Sequence, residues 1–510
     1  MASHRVSGGS LALLLLAGMS PARAAIINVN NNLDQVTDNG NCTLREAFQA
    51  AQTNTVVDTC PPGEVGAEDV INVPAGTYLL TAGPLQVSGQ RLRVVGPNTS
   101  PPTAVLDANF TSRVLKVDGG SVVILDHLRL TRGDAFTDNL NQEGGGVTAS
   151  DSTLTLRSVQ LDANRAHQGG GLLFVGSAGN GLVVQNSRFE ANRAEQTQPN
   201  QGAGLGGGFF AFLSSGSFGQ VEDSVFTGNQ SVGVITNGGA GYAGGRIWAV
   251  GDSTFQIRRC AFTNNLVDPA VGGPADTVGL SILGWQTSQV LAEDLVFTGN
   301  QQADIPDSTA PTALSAVATG SANVVVRRIQ AYDNDFGEVT QDIVFEAQDT
   351  ASLTATNILA AHGPLVGVSA RAYGTGTITL GHITTTDHGN TGLFVFDNDN
   401  LGHLELGNSI SFGNGSDLFT GGTGVNVLPS NLIGIDPLFV NPATGDYSLQ
   451  AASPAVDAGN SALASVGPFD ALHHSRVAGA ATDLGALERG SFFADGFESG
   501  DLLAWSSHVP

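Results

Sequence analysis

Five short phrases recur along the middle of the chain: LDAN (161–164), FEAN (189–192), FTGN (226–229), FTNN (262–265) and FTGN (297–300). Their closing asparagines are separated by 28, 37, 36 and 35 residues. Self-similarity with a period of roughly 20–50 residues is typical of stacked units, none of which can bury its apolar side alone. The phrases therefore predict a repetitive architecture that grows by adding coils.

Short runs of alternating apolar and polar residues precede the phrases, for example LTLRSVQL (154–161) and LVV (182–184). This alternation has the two-residue period of a strand and not the period of a helix. A strand, a turn and a fixed asparagine in each coil predict an all-β fold, a single-stranded right-handed parallel β-helix, with a short N-terminal capping helix and a C-terminal cap. The series continues more weakly, in steps of 34, 28, 26 and 26 residues, at Asn334, His362, His388 and Asn414.

The beginning of the chain has the pattern of a secretory signal. Arg5 precedes an apolar run at 11–18, and Ala22-Arg-Ala24 has the small residues of a cleavage site. The apolar run is too short to span a bilayer, and no later segment is apolar for about 18 residues. We expect a signal peptide at 1–24, no membrane span in the mature chain, and a protein that is secreted or held at the cell surface.

The charge of the chain limits its partners. Its 510 residues carry a formal net charge of −25, and Lys116 is the only lysine. Nucleic acid and anionic membrane surfaces are poor partners for such a surface. An acidic polysaccharide would be repelled as well, unless Ca²⁺ bridged the two charges. We expect an extended polysaccharide or another cell-surface ligand, no nucleic acid, and a monomer.

The three cysteines suggest one crosslink. In an exported chain, Cys42 and Cys60 are predicted to form a disulfide around one segment. Closing a loop of this size contributes about 3 kcal/mol in the chain-entropy description. Cys260 stands where neighbouring repeats place serine or leucine, which predicts a small buried residue and not a nucleophile.

The ends of the chain differ from its repetitive middle. Thr43 and Glu46 have the spacing of a capping box, which predicts an amphipathic helix at about 43–52 that covers the first coil. The composition changes again after about residue 430. The predicted organisation is a signal peptide (1–24), an N-terminal cap (25–67), a parallel β-helix (68–429), C-terminal coils and a cap (430–490), and a short acidic and aromatic tail (491–510).

Several phrases resemble known families. CTLREAF (42–48) resembles the start of secreted bacterial proteins with a Cys-Ser-Leu-Arg-Glu-Ala motif, with Thr43 in place of serine. The FEAN and FTGN phrases are similar to repeats of polymorphic outer-membrane proteins and other pectin-lyase-like β-helices. SPAVDAG (453–459) and DLGALE (483–488) resemble the terminal region of such β-helices, and DGFESGD (495–501) resembles endings of other secreted proteins. The resemblance implies export and a β-helix but no particular activity, because this solenoid carries lyases, hydrolases and non-catalytic proteins alike.

Stacking of the coils suggests one catalytic hypothesis. If Asn164 and Asn192 lie one coil apart, Asp162 lies over Glu190 and Arg165 over Arg193, at a rung spacing of about 4.8 Å. Two carboxylates about 5 Å apart are the arrangement of a retaining glycosidase. The alternative is a ladder of surface Asp/Arg and Glu/Arg pairs. We treat Asp162, Glu190, Arg165 and Arg193 as catalytic candidates only if the protein is an enzyme.

Other motifs favour structural explanations. The ordered residue set of polygalacturonase-like β-helices is absent, so His362 and His388 are interpreted as turn residues. A single lysine and dispersed arginines give little support for proton abstraction beside a uronate. The glycines at 202–207 match G-x-G-x-x-G, but a strand follows instead of a helix, so no phosphate site is expected.

Two acidic stretches resemble the beginning of a calcium loop. Asp397-Asn-Asp399 starts such a loop, but the twelfth position is Asn408, where a glutamate is needed. Asp333-Asn-Asp335 is similarly incomplete. Asp397 and Asp399 are therefore weak Ca²⁺ candidates, with a solvated acidic turn as the alternative, and no other metal or cofactor is expected.

The sequence thus favours an exported, non-enzymatic β-helix that works at the cell surface or outside the cell, in adhesion or polysaccharide contact. The alternative is a polysaccharide lyase or glycoside hydrolase of pectin-lyase-like fold. A purely structural role in a surface layer is not distinguished from adhesion by the sequence.

Overall fold

The structure of the protein is a computed structural model. The predicted signal peptide, apart from Ala24, lies outside the residues that it describes, as do Gly202 and the predicted tail 491–510. The described residues are 24–137, 142–197, 204–233, 240–269, 276–303, 312–335, 341–363, 365–463 and 467–490.

One coil of the chain passes through four strands. In a representative coil, the four strands are Val147–Ser150, Thr153–Arg157, Gln160–Asp162 and Arg165–Ala166, with a bend between the second and the third. The next coil begins with Leu172–Gly176, which pairs in parallel with Val147–Ser150. Because each strand pairs with its counterpart one coil further on, the chain is a single-stranded right-handed parallel β-helix, which confirms the predicted fold.

Three sheets run along the coils. The first sheet has twelve strands: Leu85–Ser88, Leu115–Asp118, Val147–Ser150, Leu172–Gly176, Phe209–Leu213, Gly245–Val250, Leu280–Gln286, Leu314–Gly320, Gln341–Ala347, Val366–Ala372, Thr391–Asp397 and Ser416–Gly421. The short sheet has five: Arg165–Ala166, Arg193–Gln196, Gln230–Gly233, Leu266–Asp268 and Gln301–Gln302.

The long sheet has 22 strands and includes the bend of each coil. Its strands are Ile26–Asn28, Asp69–Asn72, Gly76–Leu79, Arg91–Val95, Ala104–Asp107, Val122–Asp126, Leu128–Thr131, Thr153–Arg157, Gln160–Asp162, Gly181–Gln185, Arg188–Glu190, Phe218–Glu222, Val225–Thr227, Thr254–Thr263, Gln289–Thr298, Asn323–Tyr332, Ser352–Ala361, Thr377–Thr386, His403–Gly407, Ile410–Phe412, Val425–Val427 and Leu432–Ile433. Two further pairs are Gly204–Leu205 with Ala240–Tyr242, and Phe439–Asn441 with Asp446–Leu449.

The interior of the coils is dry and apolar. Phe189, Phe226, Phe262 and Phe297 occupy one inward position of four consecutive coils, and all four are fully buried. Neighbouring rings stack with centroid distances of 4.7, 4.7 and 5.2 Å, which is about one strand spacing. The stacked rings therefore fill the core with the period that the backbone imposes.

The repeated asparagines form a buried ladder at the turn after the long sheet. The side-chain oxygen of Asn229 accepts hydrogen bonds from the backbone nitrogen and the amide of Asn192, both at 3.1 Å. The amide of Asn229 donates to the carbonyl of Phe189 and to the side-chain oxygen of Asn265. The same pattern continues from Asn164 to Asn334, so each asparagine satisfies polar groups that the tight turn would leave unpaired.

The N-terminal end of the solenoid is covered. The helix Leu44–Thr53 begins at Thr43 with the predicted capping box to Glu46, and its apolar face joins the core. The Cys42–Cys60 disulfide is present, as predicted. No helix among the described residues is long and apolar enough to cross a membrane.

The C-terminal cap packs on the flank of the last coils. The strands of the coils end at Leu432–Ile433, and the chain then folds back along the outer side of the long sheet. There Gly485 donates from its backbone to Asn408, and buried Arg476 donates to the side chain of Asn357 at 2.6 Å. A second apolar cluster forms between sheet and cap, consisting of Leu359, Ala361, Ile410, Leu432, Phe439, Tyr447, Leu449, Ala455, Ala471, Leu484, Ala486 and Leu487.

The asparagine ladder makes a testable contribution to stability. Asn229→Ala removes the acceptor for two buried donors of Asn192, so we expect the free energy of unfolding to fall by about 3 kcal/mol. Asn98→Ala, at an exposed position, is the control and should leave the denaturation midpoint unchanged. Equal urea and thermal midpoints for both variants would show that the ladder does not stabilise the coils.

Candidate functional site

The structure places the two candidate carboxylates opposite each other on neighbouring coils. Asp162 is buried and accepts two hydrogen bonds of 2.7 Å from the guanidinium of Arg129. Glu190 pairs with Arg188 at 2.8 Å, and this hydrogen bond lowers the pKa of Glu190. A glycosidase needs one carboxyl group with a raised pKa to donate a proton. The contacts of Asp162 and Glu190 are instead those of a surface ion-pair ladder.

The two candidate arginines also lie opposite each other, and both are engaged in ion pairs. Arg165 donates to Asp134 at 2.9 and 2.7 Å, and Arg193 contacts Glu195 at 2.6 Å. Arg165 finds its partner on the preceding coil and Arg193 within its own strand. A catalytic role for these residues stays a prediction that the geometry does not favour.

Asp397 and Asp399 lie in a turn in which their carboxylates accept backbone hydrogen bonds. The two oxygens of Asp397 accept from the nitrogens of Gly402 and Gly424, at 3.1 and 3.0 Å, and an oxygen of Asp399 accepts from Gly374 at 2.7 Å. These N–H donors already use part of the acceptor capacity of both carboxylates. Within the described ranges, no group of three or more His, Cys, Asp and Glu residues is placed to hold a metal ion.

A different set of residues forms the most promising site. A groove of about 450 Å³ lies where the C-terminal cap meets the outer side of the long sheet, and we call it the cap groove. Leu359 and Tyr447 belong both to its wall and to the second apolar cluster, so the packing of the cap on the sheet creates the groove. Its lining residues are Gln330, Tyr332, Asp333, Leu359, His362, Ala443, Thr444, Gly445 and Tyr447.

The strand register shows that the interpretation of His362 as an asparagine equivalent was wrong. The preceding strands align so that His362 stacks between Asp333 and Asp387, and all three residues have left-handed φ angles, of 49°, 53° and 59°. Gly363 occupies the position that continues the asparagine ladder, because this coil is one residue longer than an alignment of His362 with Asn334 implies. His388 does continue the ladder, since its backbone nitrogen donates to the side chain of Asn414 at 3.0 Å.

His362 is held between two carboxylates. Its Nε2 lies 3.1 Å from an oxygen of Asp387, and its Nδ1 lies 3.6 Å from an oxygen of Asp333. The imidazole is 35% exposed and packs edge-on against the ring of Tyr447, with 5.9 Å between the centroids. A carboxylate that accepts one ring N–H fixes the tautomer, and the other nitrogen is then available to exchange a proton. The arrangement can therefore bind hydroxyl groups or transfer protons.

The two tyrosines of the cap groove are neutral. Burial raises the pKa of Tyr447, and the charges of Asp387 and Asp333 raise it further. Burial likewise raises the pKa of Tyr332, with a smaller effect of Asp333. The hydroxyl of Tyr447 has no hydrogen-bond partner among the described residues. Both phenols are thus protonated, and Tyr332 is partly exposed whereas Tyr447 is buried.

The sequence held part of the signal for this site. Asp333 belongs to an incomplete calcium loop in the sequence, and His362 is interpreted as a turn residue, so neither motif by itself indicates this site. When the three coils are aligned by their strand register, Asp333, His362 and Asp387 fall at one position and form a column of an acidic, a basic and an acidic residue. No pattern along the chain indicates that Tyr332 and Tyr447 line one groove, because this depends on the fold-back of the cap.

The calcium hypothesis is tested by a thermal-shift measurement. Because amide hydrogens already occupy the oxygens of Asp397 and Asp399, we expect the same melting temperature, to within about 1 °C, in EDTA and in millimolar Ca²⁺. Asp397→Asn and Asp436→Asn, the latter at an exposed turn, serve as the test and control variants. A rise with Ca²⁺ that only Asp397→Asn abolishes would establish a calcium site.

Comparisons with known proteins give only distant likenesses. No family model matches the chain, and no curated protein matches it. Solved structures that it resembles include pectate lyase Pel9A (TM-score 0.42, 15% identity, 93% of this chain and 98% of that chain) and the catalytic unit of a thermostable GH87 alpha-1,3-glucanase from Streptomyces thermodiastaticus strain HF3-3 (0.36, 14%, 81% and 70%). The periplasmic alginate epimerase AlgG is a third (0.33, 10%, 83% and 100%). These likenesses concern the coiled architecture and leave the activity and substrate of this chain open.

Proposed function

We propose that this protein is an exported, non-enzymatic β-helix that contacts extended polysaccharide through the cap groove, at the cell surface or outside the cell. The observation that carries the proposal is the composition of the groove. Tyr332 offers an aromatic ring, and Gln330, Asp333 and His362 offer hydrogen-bonding groups beside it. Ligand sites commonly combine apolar walls with a few fixed polar groups.

The charge of the groove selects among polysaccharides. Asp333 and Asp387 are 66% and 49% exposed at its rim, and the whole chain has a net charge of −25. Carboxylates accept hydrogen bonds from sugar hydroxyls but repel a polyanion. We therefore propose a neutral glycan as the ligand, with the ring of Tyr332 against the apolar face of a sugar.

Two features support export. The first is the secretory pattern at 1–24 in the sequence. The second is the Cys42–Cys60 disulfide, since disulfides persist in oxidising compartments outside the cytosol. A solenoid that is covered at its N-terminal end and filled with aliphatic and aromatic side chains suits a role on an exposed surface.

The spacing of the carboxylates supports binding over glycosidase chemistry. Asp333 and Asp387 lie two rungs apart, about 10 Å between backbones, and the imidazole of His362 occupies the space between them. A retaining glycosidase needs its two carboxyl groups about 5 Å apart, and an inverting one needs room for sugar and water between them. The cap groove provides neither arrangement.

Removal of the aromatic ring tests the binding proposal. With Tyr332→Ala, we expect the dissociation constant for a neutral glucan, mannan or xylan to rise at least about tenfold, or 1.4 kcal/mol. Tyr373→Ala, a partly exposed tyrosine outside the groove, is the matched control. Isothermal titration or affinity electrophoresis measures the change, and melting temperatures establish that both variants are folded. Equal affinities in all three proteins, or binding of polygalacturonate alone, would refute the proposal.

The contact between His362 and Asp387 favours one alternative, a polysaccharide lyase or hydrolase in which His362 exchanges a proton. Reducing ends and unsaturated uronate absorbance, measured after incubation with neutral glycans, polygalacturonate and alginate, separate the two functions. Our proposal predicts no release by the wild-type protein. Release that His362→Gln abolishes, and that Tyr373→Ala preserves, would establish catalysis at the cap groove instead.

A further inference from the structure

At the C-terminal end of the solenoid, the strand edges have no partner strand among the described residues. The last coil consists of Ser416–Gly421, Val425–Val427 and Leu432–Ile433. Each of these strands pairs with the preceding coil on one side, and no strand of the described residues pairs with the other side. A row of backbone N–H and C=O groups therefore faces outward along the axis, which is a template for adding a strand.

The interior of the last coil is also open. Val427 continues an inward position that Leu406 fills one coil earlier, and its exposure is 37% where Leu406 is fully buried. Thr420, which continues the inward position of buried Val395, is exposed as well. The apolar cross-section is thus partly accessible, because the C-terminal cap covers the flank of the last coils and not their end.

This edge lacks the basic side chains and prolines that often protect an exposed strand. The segment 416–427 contains no lysine, arginine or proline, and its single charged residue is Asp417. The carboxylate of Asp417 accepts hydrogen bonds from the backbone and side chain of Asn414. Phe419 is 46% exposed on the outer side of the same strand. This segment therefore carries little of the net charge of −25 that would repel a second copy.

The opposite end of the solenoid restricts the possible assemblies. The helix Leu44–Thr53 covers the first coil, so the C-terminal edge of one copy has no open N-terminal edge to join. Head-to-tail stacking, which would give a filament, is therefore blocked. Pairing of two C-terminal ends around a twofold axis remains, and it brings the edge strands together antiparallel in a closed dimer.

We propose that a second copy of this chain pairs with the C-terminal end, and that the protein is an end-to-end dimer through Ser416–Gly421 and Val425–Val427. The dimer would bury Val427 and Thr420 and complete the backbone hydrogen bonds of the last coil. This proposal replaces the monomer expected from the sequence, and it does not depend on the function of the cap groove.

The mass in solution tests the proposal. We expect the full mature chain to have twice the mass of one chain in sedimentation equilibrium and in size exclusion with light scattering. Val427→Lys and Phe419→Lys place a charge at the twofold edge and should give monomers. Val56→Lys, at a 65% exposed valine near the covered end, should remain a dimer. Circular dichroism and melting temperatures establish that all variants are folded.

The remaining outcomes contradict the dimer. A wild-type monomer at all concentrations overturns it, and so does a dimer that survives both edge substitutions. A chain that lacks 491–510 distinguishes the other possible occupant. If only this truncated chain dimerises, the tail of the same chain covers the end in the intact protein, and the proposal is wrong.

Discussion

The structure depends on the parallel hydrogen bonding of each coil to the next. Once one strand is placed, the register of its neighbour is fixed, and every position becomes a column that runs along the solenoid. The buried asparagines strengthen this register because the side-chain oxygen of each one accepts hydrogen bonds from the backbone and the side chain of the preceding one. The stacked phenylalanine rings follow the same spacing. The strand pairing, the stacked core and the asparagine ladder thus all follow from the repeat of one coil on the next.

Columns also explain how charge is distributed. Like charges do meet on adjacent rungs, as for Asp162 with Glu190 and Arg165 with Arg193. Ion pairs with residues of opposite charge, such as Arg129 with Asp162 and Arg328 with Asp294, offset the repulsion. The Asp333, His362 and Asp387 column differs because a titratable base lies between two acids at the edge of a groove. This departure from simple ion pairing is the reason why we propose the column as part of a ligand site.

The C-terminal cap decides what the solenoid exposes. By folding back on the outer side of the last coils, it creates the second apolar cluster and the wall of the cap groove. The same packing leaves the end of the last coil uncovered by the described residues, and Val427 and Thr420 are exposed there. One packing arrangement therefore generates both the cap groove, which we propose as a ligand site, and the edge that we propose for self-association.

The sequence by itself determined the coiled architecture, the buried asparagines, the capping helix and the disulfide, because each depends on residues repeated at one coil or adjacent along the chain. It did not determine the partners of Asp162 or the position of His362, since a change of one residue in coil length moves a side chain to a different column. The meeting of Tyr447 with His362 was decided only by tertiary structure. The fold-back that joins them is driven by apolar burial, which is non-directional and leaves no periodic signal in the chain.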